Sequence, residues 1–443
     1  MEEILKMAEK LVEAHALCDN CLGRQFASLA SGASNAERGR SLKNTLVMAA
    51  YAMIIEGKRK GRDLLKKLAS NGFSDFAKAT LEKLSIQPDA EPRECEVCKG
   101  KLEEIDALAT EAISKAEGYE FHSFLVGAKI PSHVTEAEDS LRAKHGVNWG
   151  EAIRSEFTRE IGKIISHKTM KKVNYTNPDV NFTVDPYKGE VTLQVNPLFI
   201  AGRYKKLKAG IPQSRWLCNK CRGKGCPSCG GTGRRYEDSV QEIIAQPILM
   251  RTMGEDAILH ASGREDVDAK VLGEGRPFVL EVKRPRIRSL KLEEVRDAIA
   301  KSGKVEVEDL QVVGKDYVKK LKMGESADKV YQAIVEVDGE ITDDDLEKVS
   351  KVLTGCYIKQ ATPSRVLHRR VDKVRERYIY KVNVKKISAK SFDLTIHCQG
   401  GLYVKELVEG DEGRTTPSVA TLIGKKARCV ELNVLDVGRR GAS

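Results

Sequence analysis

Residues 262–270 read SGREDVDAK: Glu265, Asp266 and Asp268 lie between Arg264 and Lys270. Residues 275–285, GRPFVLEVKRP, follow as a short apolar run, and alternation along a strand puts Glu281 and Lys283 on one face. This charged turn before an apolar strand admits three readings. It can be a solvated polar turn with Asp266 as a cap. It can be the carboxylate set of a metal-dependent nuclease, with Asp266 or Asp268 joined by Glu281 and Lys283. That pattern is short, and chance supplies it often. It can also be a turn that presents one nucleophilic aspartate at the end of a sheet. Elements far away in the chain have to decide.

The chain has 443 residues, enough for two to four domains, with 41% hydrophobic and 31% charged residues. The net charge of +11 and a pI near 9.0 point to a polyanionic partner, most simply nucleic acid. No apolar run approaches the length of a membrane span, and MEEILKMAEK at the start is an amphipathic helix and not a signal peptide. The expected setting is the cytoplasm, with no membrane and no obligate protein partner.

Eight of the eleven cysteines fall in four Cys-x-x-Cys pairs: Cys18/Cys21, Cys95/Cys98, Cys218/Cys221 and Cys226/Cys229. In a reducing compartment this spacing reads as metal binding, and a structural zinc site takes four such ligands. Cys218, Cys221, Cys226 and Cys229 sit close enough to close one site locally, among glycines that let the backbone turn its N–H groups toward sulfur. The same pattern resembles the zinc repeats of a heat-shock co-chaperone, so it names no function. By exclusion, Cys18, Cys21, Cys95 and Cys98 share a second zinc and staple the helical segment between them. Cys356, Cys398 and Cys429 read as core residues.

The expected architecture is α+β. Residues 1–104 form a helical, zinc-binding segment, weakly broken at Gly57 and Gly61, with PDAEPREC (88–95) as a linker. Residues 105–212 form an α+β module that ends in a basic tail, GRYKKLKAG, whose Lys205, Lys206 and Lys208 offer phosphate contacts. Residues 213–235 form the four-cysteine segment, too glycine-rich to bury a core. Residues 236–443 run as short strands with flanking helices, a mainly antiparallel sheet. KVYQAIVEV (329–337) begins a strand with a tyrosine at Tyr331, and GLYVKEL (401–407) reads as a further strand. ARCVELNVLDV (427–437) reads as a last apolar strand with Leu432 inside it.

An aspartate in a turn, a Lys-x-Tyr strand, a GxYxKEL segment and a late leucine, in that order, resemble the motifs of pseudouridine synthases. The flanking text sharpens the likeness. ASGREDVDAKVLGEGRPFVLEVKRP, TPSRVLHRR and VKELVEGDEGRTTPSVATLIG look like the archaeal and eukaryotic THUMP-containing tRNA synthase family that modifies the TΨC arm. The module 105–212 resembles a THUMP domain, and the resemblance covers nearly the whole chain.

That resemblance implies an isomerase that converts uridine 55, and uridine 54 with it, using Asp266 as the catalytic carboxylate. Tyr331 matches the tyrosine that stacks on the target base, and Leu432 the apolar residue of the pocket. Lys405 stands where other synthase families carry an arginine that pairs with the aspartate. Tyr403 belongs to the same substrate-binding segment, and Arg264 fills the vacated stack or grips a phosphate. Leu402 departs from the threonine expected in GTYIKEL. Tyr378 and Tyr380, in RERYIYKV, resemble the active-site tyrosine of another synthase family and compete with Tyr331. The isomerisation consumes nothing, so structural zinc and no organic cofactor is expected. The partner is tRNA, held at its TΨC arm and acceptor end. A zinc-containing RNA-binding protein or chaperone without catalysis is the alternative, and a nuclease a more distant one.

Overall fold

Helices in the first part of the chain announce themselves by capping as much as by periodicity. In the computed structural model, which describes residues 2–90, 94–323 and 328–437, Ser34 caps helix α3 (Asn35–Ile55) in a reciprocal capping box with Glu37. Ser74 caps α5 (Asp75–Lys83). α1 (Glu2–Ala14), α2 (Asp19–Arg24) and α4 (Arg59–Ser70) complete this helical layer. Of the two glycines read as breaks, only Gly57 breaks a helix. Gly57, at φ +73°, ends α3, whereas Gly61 lies inside α4 against Ala50 of α3, where a Cβ would stand 2.5 Å from a carbonyl oxygen. Of the expected linker, residues 91–93 lie outside the described residues.

The chain divides into two units, Met1–Val195 and Asn196–Ser443. In the first, α6 (Ile105–Lys115), α7 (Ser132–His145) and α8 (Ile153–Thr169) accompany a four-stranded sheet. Its strands β1 (Ser123–Ala128), β2 (Lys172–Val173), β3 (Val180–Asp185) and β4 (Glu190–Val195) lie in the order β2-β1-β3-β4. Phe124, Phe157, Ile161, Ile165 and Phe182 are fully buried between sheet and helices.

The second unit is built on a ten-stranded sheet. Its strands are β5 (Leu198–Lys206), β6 (Asp256–Ala261), β7 (Lys270–Lys283), β8 (Val305–Val313), β9 (Lys329–Val337), β10 (Cys356–Gln360), β11 (Arg375–Ser388), β12 (Ser391–Cys398), β13 (Thr415–Thr416) and β14 (Ala427–Val437). They run in the order β13-β10-β11-β12-β9-β14-β7-β5-β8, with β6 also on β7. All pairings are antiparallel except the short parallel contact of β14 with β7. The helices α9 (Val240–Thr252), α10 (Leu292–Ala300), α11 (Asp316–Met323), α12 (Asp343–Leu353), α13 (Val404–Glu409) and α14 (Val419–Ile423) accompany it. The chain is therefore α+β, as its pattern predicts. Among the described residues no helix is long and apolar enough to cross a membrane.

Two elements differ from the sequence reading. The stretch 198–206, assigned there to the first module, pairs along its length with β7 and β8, because Leu198, Ile200 and Tyr204 belong to the second unit's core. Residues 404–409, read as a strand, form the helix α13. Val404, Leu407 and Val408 recur at helical spacing and are buried, and Gly410 at φ +88° ends the turn. Six residues are too few to separate period 2 from period 3.6.

Candidate active site

The turn between β6 and β7 gives its three carboxylates three separate partners. Glu265 points inward. It pairs with the buried Arg276 at 2.9 Å and accepts hydrogen bonds from Tyr204 Oη at 2.9–3.0 Å, while Gln213 Nε2 donates to Gly263 O at 3.0 Å. Gly263, at φ +77°, makes room for this anchor, since a Cβ there would stand 3.1 Å from Arg276 Nη1. Asp268 pairs with Lys405 at 2.5 Å. Burial raises the Asp268 carboxyl, but the Lys405 hydrogen bond and charge outweigh that and hold it below the ordinary range.

Asp266 faces a cavity of about 350 Å³ lined by Tyr331, Leu402, Tyr403, Lys405 and Leu432. Arg365 Nη1 donates to its carboxylate at 3.2 Å and Nη2 lies 3.0 Å from it as an ion pair, while Arg365 Nε donates to Glu406 at 2.7 Å. Burial alone lowers the guanidinium pKa; the bond to Glu406 and the Asp266 charge reverse this, so Arg365 stays charged. Lys405, the expected partner of Asp266, stands 4.0 Å from it and is engaged mainly by Asp268. The partner that the sequence reading missed is thus Arg365. It lies in the family-like segment TPSRVLHRR (362–370), 99 residues from Asp266, where nothing local marks it as the aspartate's partner.

The remaining candidates fall as follows. Tyr331 lies on β9 opposite Ile396 and Val434, on the side of the strand shared with buried Ala333 and Val335, and burial lifts its phenol well above the ordinary range. Leu432, on β14, is 8% exposed within the cavity wall. Tyr403 precedes α13, is fixed by a reciprocal pair of 2.9 Å bonds with Gln360, and its hydroxyl accepts from Arg370 at 2.9 Å. Arg264 lies at the cavity mouth, 5.2 Å from the Trp216 ring centroid. Tyr378 and Tyr380 do not line this cavity. They form an aromatic ladder with Tyr357 and His397 across β10, β11 and β12, with centroids 4.8–5.2 Å apart.

A second correction concerns Lys206. Read as an exposed phosphate contact, it is fully buried and donates to the carbonyls of Ile211, Asp266 and Val267 at 2.8, 3.2 and 3.0 Å. Burial pulls its pKa down to about 8, against the upward pull of Glu265 and Asp268. The nuclease arrangement also fails geometrically. Glu281 lies near the far end of β7 and meets His260 Nε2 at 2.9 Å.

The eight cysteines form two sets of four sulfurs, Cys18/Cys21/Cys95/Cys98 and Cys218/Cys221/Cys226/Cys229, each within 4.8 Å of one another. The Sγ–Sγ spacings of 3.6–3.8 Å are far too long for a disulfide. They match the edge of about 3.8 Å in a tetrahedron with metal–sulfur bonds of about 2.3 Å. The backbone assists in both sets. Cys18 N–H donates to Cys95 Sγ, and the Cys226 and Gly233 N–H groups donate to Cys229 Sγ. Although burial raises the Cys229 thiol, these donors bring it down to about 6. Both sets can hold a tetrahedral metal ion.

Known proteins resemble this chain over nearly its whole length. The family model "Pus10, C-terminal" matches residues 199–438, and "Pus10 THUMP domain, archaeal" matches residues 108–185. The tRNA pseudouridine synthase Pus10 of Methanothrix thermoacetophila is 41% identical over 98% of this chain and 95% of its own length. That of Methanocaldococcus jannaschii is 42% identical over 97% and 93%. A crystal structure of a Cbf5-Nop10-Gar1 complex covers 44% of each chain at 18% identity and a TM-score of 0.28. The chain belongs to the Pus10 family, whose curated members carry the name tRNA pseudouridine synthase.

Proposed function

We propose that this chain isomerises uridine to pseudouridine in tRNA with Asp266 as its catalytic carboxylate, at uridine 55 and also uridine 54 of the TΨC arm. The observation that carries the reading is one arrangement: Asp266 faces a cavity while Arg365 holds it by a hydrogen bond and an ion pair and Tyr331 and Leu432 line the same space.

The reaction breaks the N1–C1′ bond, turns the base and closes C5–C1′, so nothing is consumed. An ionised carboxylate beside the ribose either attacks C1′ or draws the C2′ proton, and a positive neighbour favours that ionised form. Arg365 and Lys405 supply the charge. The target base has to leave its stack, and Tyr331 with Leu432 offers it an aromatic and an apolar surface. Tyr403, through Arg370, and Arg264 stand where the sugar–phosphate of the extruded nucleotide would pass. The first unit, with its archaeal THUMP match, would grip the acceptor end in the cytoplasm, the +11 charge adding phosphate attraction. Each cysteine set would hold zinc, whose borderline-soft character suits four thiolates. That metal would fix the backbone and take no part in the isomerisation.

The test is Asp266→Asn and Asp266→Ala on tRNA transcript, with pseudouridine mapped by carbodiimide block and primer extension. Both variants should bind tRNA near wild-type affinity and form no pseudouridine at either position. Product from either variant would remove Asp266 from the mechanism; product at only one position in wild type would narrow the substrate.

A further inference from the structure

The four-cysteine loop is placed too purposefully for a passive staple. Its two ends are zipped together: Cys218 N–H donates to Gly233 O at 2.8 Å, Arg235 N–H donates to Trp216 O at 3.0 Å, and Leu217 bridges Arg234. This fixes Trp216, half-buried, in the wall of the Asp266 cavity. Two guanidinium groups, Arg235 from the loop and Arg264 from the Asp266 turn, each lie 5.2 Å from its ring centroid, and Tyr236 meets it edge-on at 5.6 Å. Beside it opens a groove lined by Lys220, Arg234 and Arg235 and also by Glu237, with Arg234 paired to Glu242 at 3.1 Å. An aromatic ring at the mouth, cations on the ring and a basic groove leading away are the parts of a single-stranded nucleic-acid platform.

We infer that Trp216 stacks on an unpaired RNA base next to the extruded uridine, and that the Lys220–Arg234–Arg235 groove carries the adjoining phosphates. The base takes the place of Arg264 on the indole ring, and the released guanidinium turns to the backbone. The four-cysteine loop is then a positioning device for an RNA contact, and its glycines serve that shape: a Cβ on Gly233, at φ +69°, would stand 2.4 Å from Gly223 O. The inference rests on the cavity being the uridine site, and the experiment separates the two.

The chain has two tryptophans, Trp149 and Trp216. In a Trp149→Phe, Asp266→Asn protein all indole emission comes from Trp216, and no chemistry is required. Saturating tRNA should quench that emission, whereas heparin, a polyanion without bases, should not. In the otherwise native chain, Trp216→Ala should weaken tRNA affinity roughly tenfold, the scale of one lost base stack. Trp216→Phe should recover most of that loss, and the salt slope of binding should stay unchanged because no phosphate contact is removed. Unchanged emission with saturating tRNA would overturn the inference. So would wild-type affinity in Trp216→Ala, or a loss that Trp216→Phe does not recover. Pseudouridine made by Asp266→Asn would overturn the catalytic reading and leave the quenching result standing.

Discussion

Glu265, Asp266 and Asp268 carry one kind of charge within four residues, yet each meets a different cation: Arg276, Arg365 and Lys405. The division matters because a carboxylate that anchors a turn cannot also attack a sugar. On the proposed reading Arg365 is a positioning residue that acts through Asp266, holding the carboxylate from one planar group by an Nη1 hydrogen bond and an Nη2 ion pair. Arg365→Ala should lower kcat for pseudouridine formation roughly 100-fold, the scale of a misaimed reactive group, with KM moving far less. Arg365→Lys, which keeps the charge and loses the fork, should recover only part. Single-turnover kinetics at saturating tRNA reads this; a raised KM with unchanged kcat would make Arg365 a binding residue only. Lys206 permits a second prediction. Its folded pKa of about 8 lies below the ordinary lysine value of about 10.4, so the native state disfavours its charge. The stabilising share is complete above the unfolded value and is lost as pH falls through about 8. Wild type should therefore gain up to ~3 kcal/mol relative to Lys206→Met between about pH 8 and pH 10.5, read by denaturant titration. The salt slope for tRNA should not change in Lys206→Met, since this ammonium reaches carbonyls and no phosphate. A flat stability difference across that window would show that the three carbonyls fully compensate its burial.

At the scale of elements, the site depends on where β14 meets β7, which sets Leu432 against the Asp266 turn. The parallel contact is only Asn433 with Lys270 and Val434 with Val271, and Gly273 lies just beyond it on β7. Gly273 has φ +58°, and a Cβ there would stand 2.2 Å from Leu435 O. Gly273→Ala should therefore force β14 away, destabilising the second unit by about 2–4 kcal/mol through combined strain and overlap. Thermal unfolding would register it, and an unchanged Tm would mean the strands part without cost. The sequence showed this element structure unevenly. Strands β9, β11 and β12 alternate over eight or more residues, and such length leaves little ambiguity. α13 is too short for its period to be read, and β5 carries no mark of which sheet it joins, because partners in a sheet are long-range. The same limit hid Arg365. Asp266, Tyr331 and Leu432 stand out through their resemblance to the motifs of a known family, whereas Arg365, in the segment TPSRVLHRR, has no local sign that it folds back onto a carboxylate. Lys206 was misread for a related reason: charge in a basic tail suggests solvent, and only the tertiary packing reveals its three carbonyl acceptors.

At the scale of the whole molecule, each unit has its own four-cysteine set, and the two differ in what they close. Cys18 and Cys95 close a long loop around the helical layer, whereas Cys218 and Cys229 close a short local one. In the first set Cys21 and Cys98 are fully buried, Cys95 nearly so and only Cys18 is half-buried. In the second, Cys221, Cys226 and Cys229 are partly exposed. Buried Arg24 adds to the contrast: it donates to Cys21 Sγ at 3.4 Å while paired with Glu138 on α7 and Glu156 on α8, so opening the first set also exposes an ion-pair network. Ligand exchange at a tetrahedral thiolate site requires a chelator to reach the metal, so enclosure should appear as rate. Purified chain should contain two zinc ions, and a strong chelator should remove them in two phases of equal amplitude. The fast phase should vanish in Cys221→Ser and the slow one in Cys98→Ser. Loss of the fast metal should leave the first unit's helix signal intact, because only the local loop is released; loss of the slow metal should lower it, because the closure of a long loop is undone. Release in one phase, or a metal content of one per chain, would mean that the two sets are not independent four-thiolate sites.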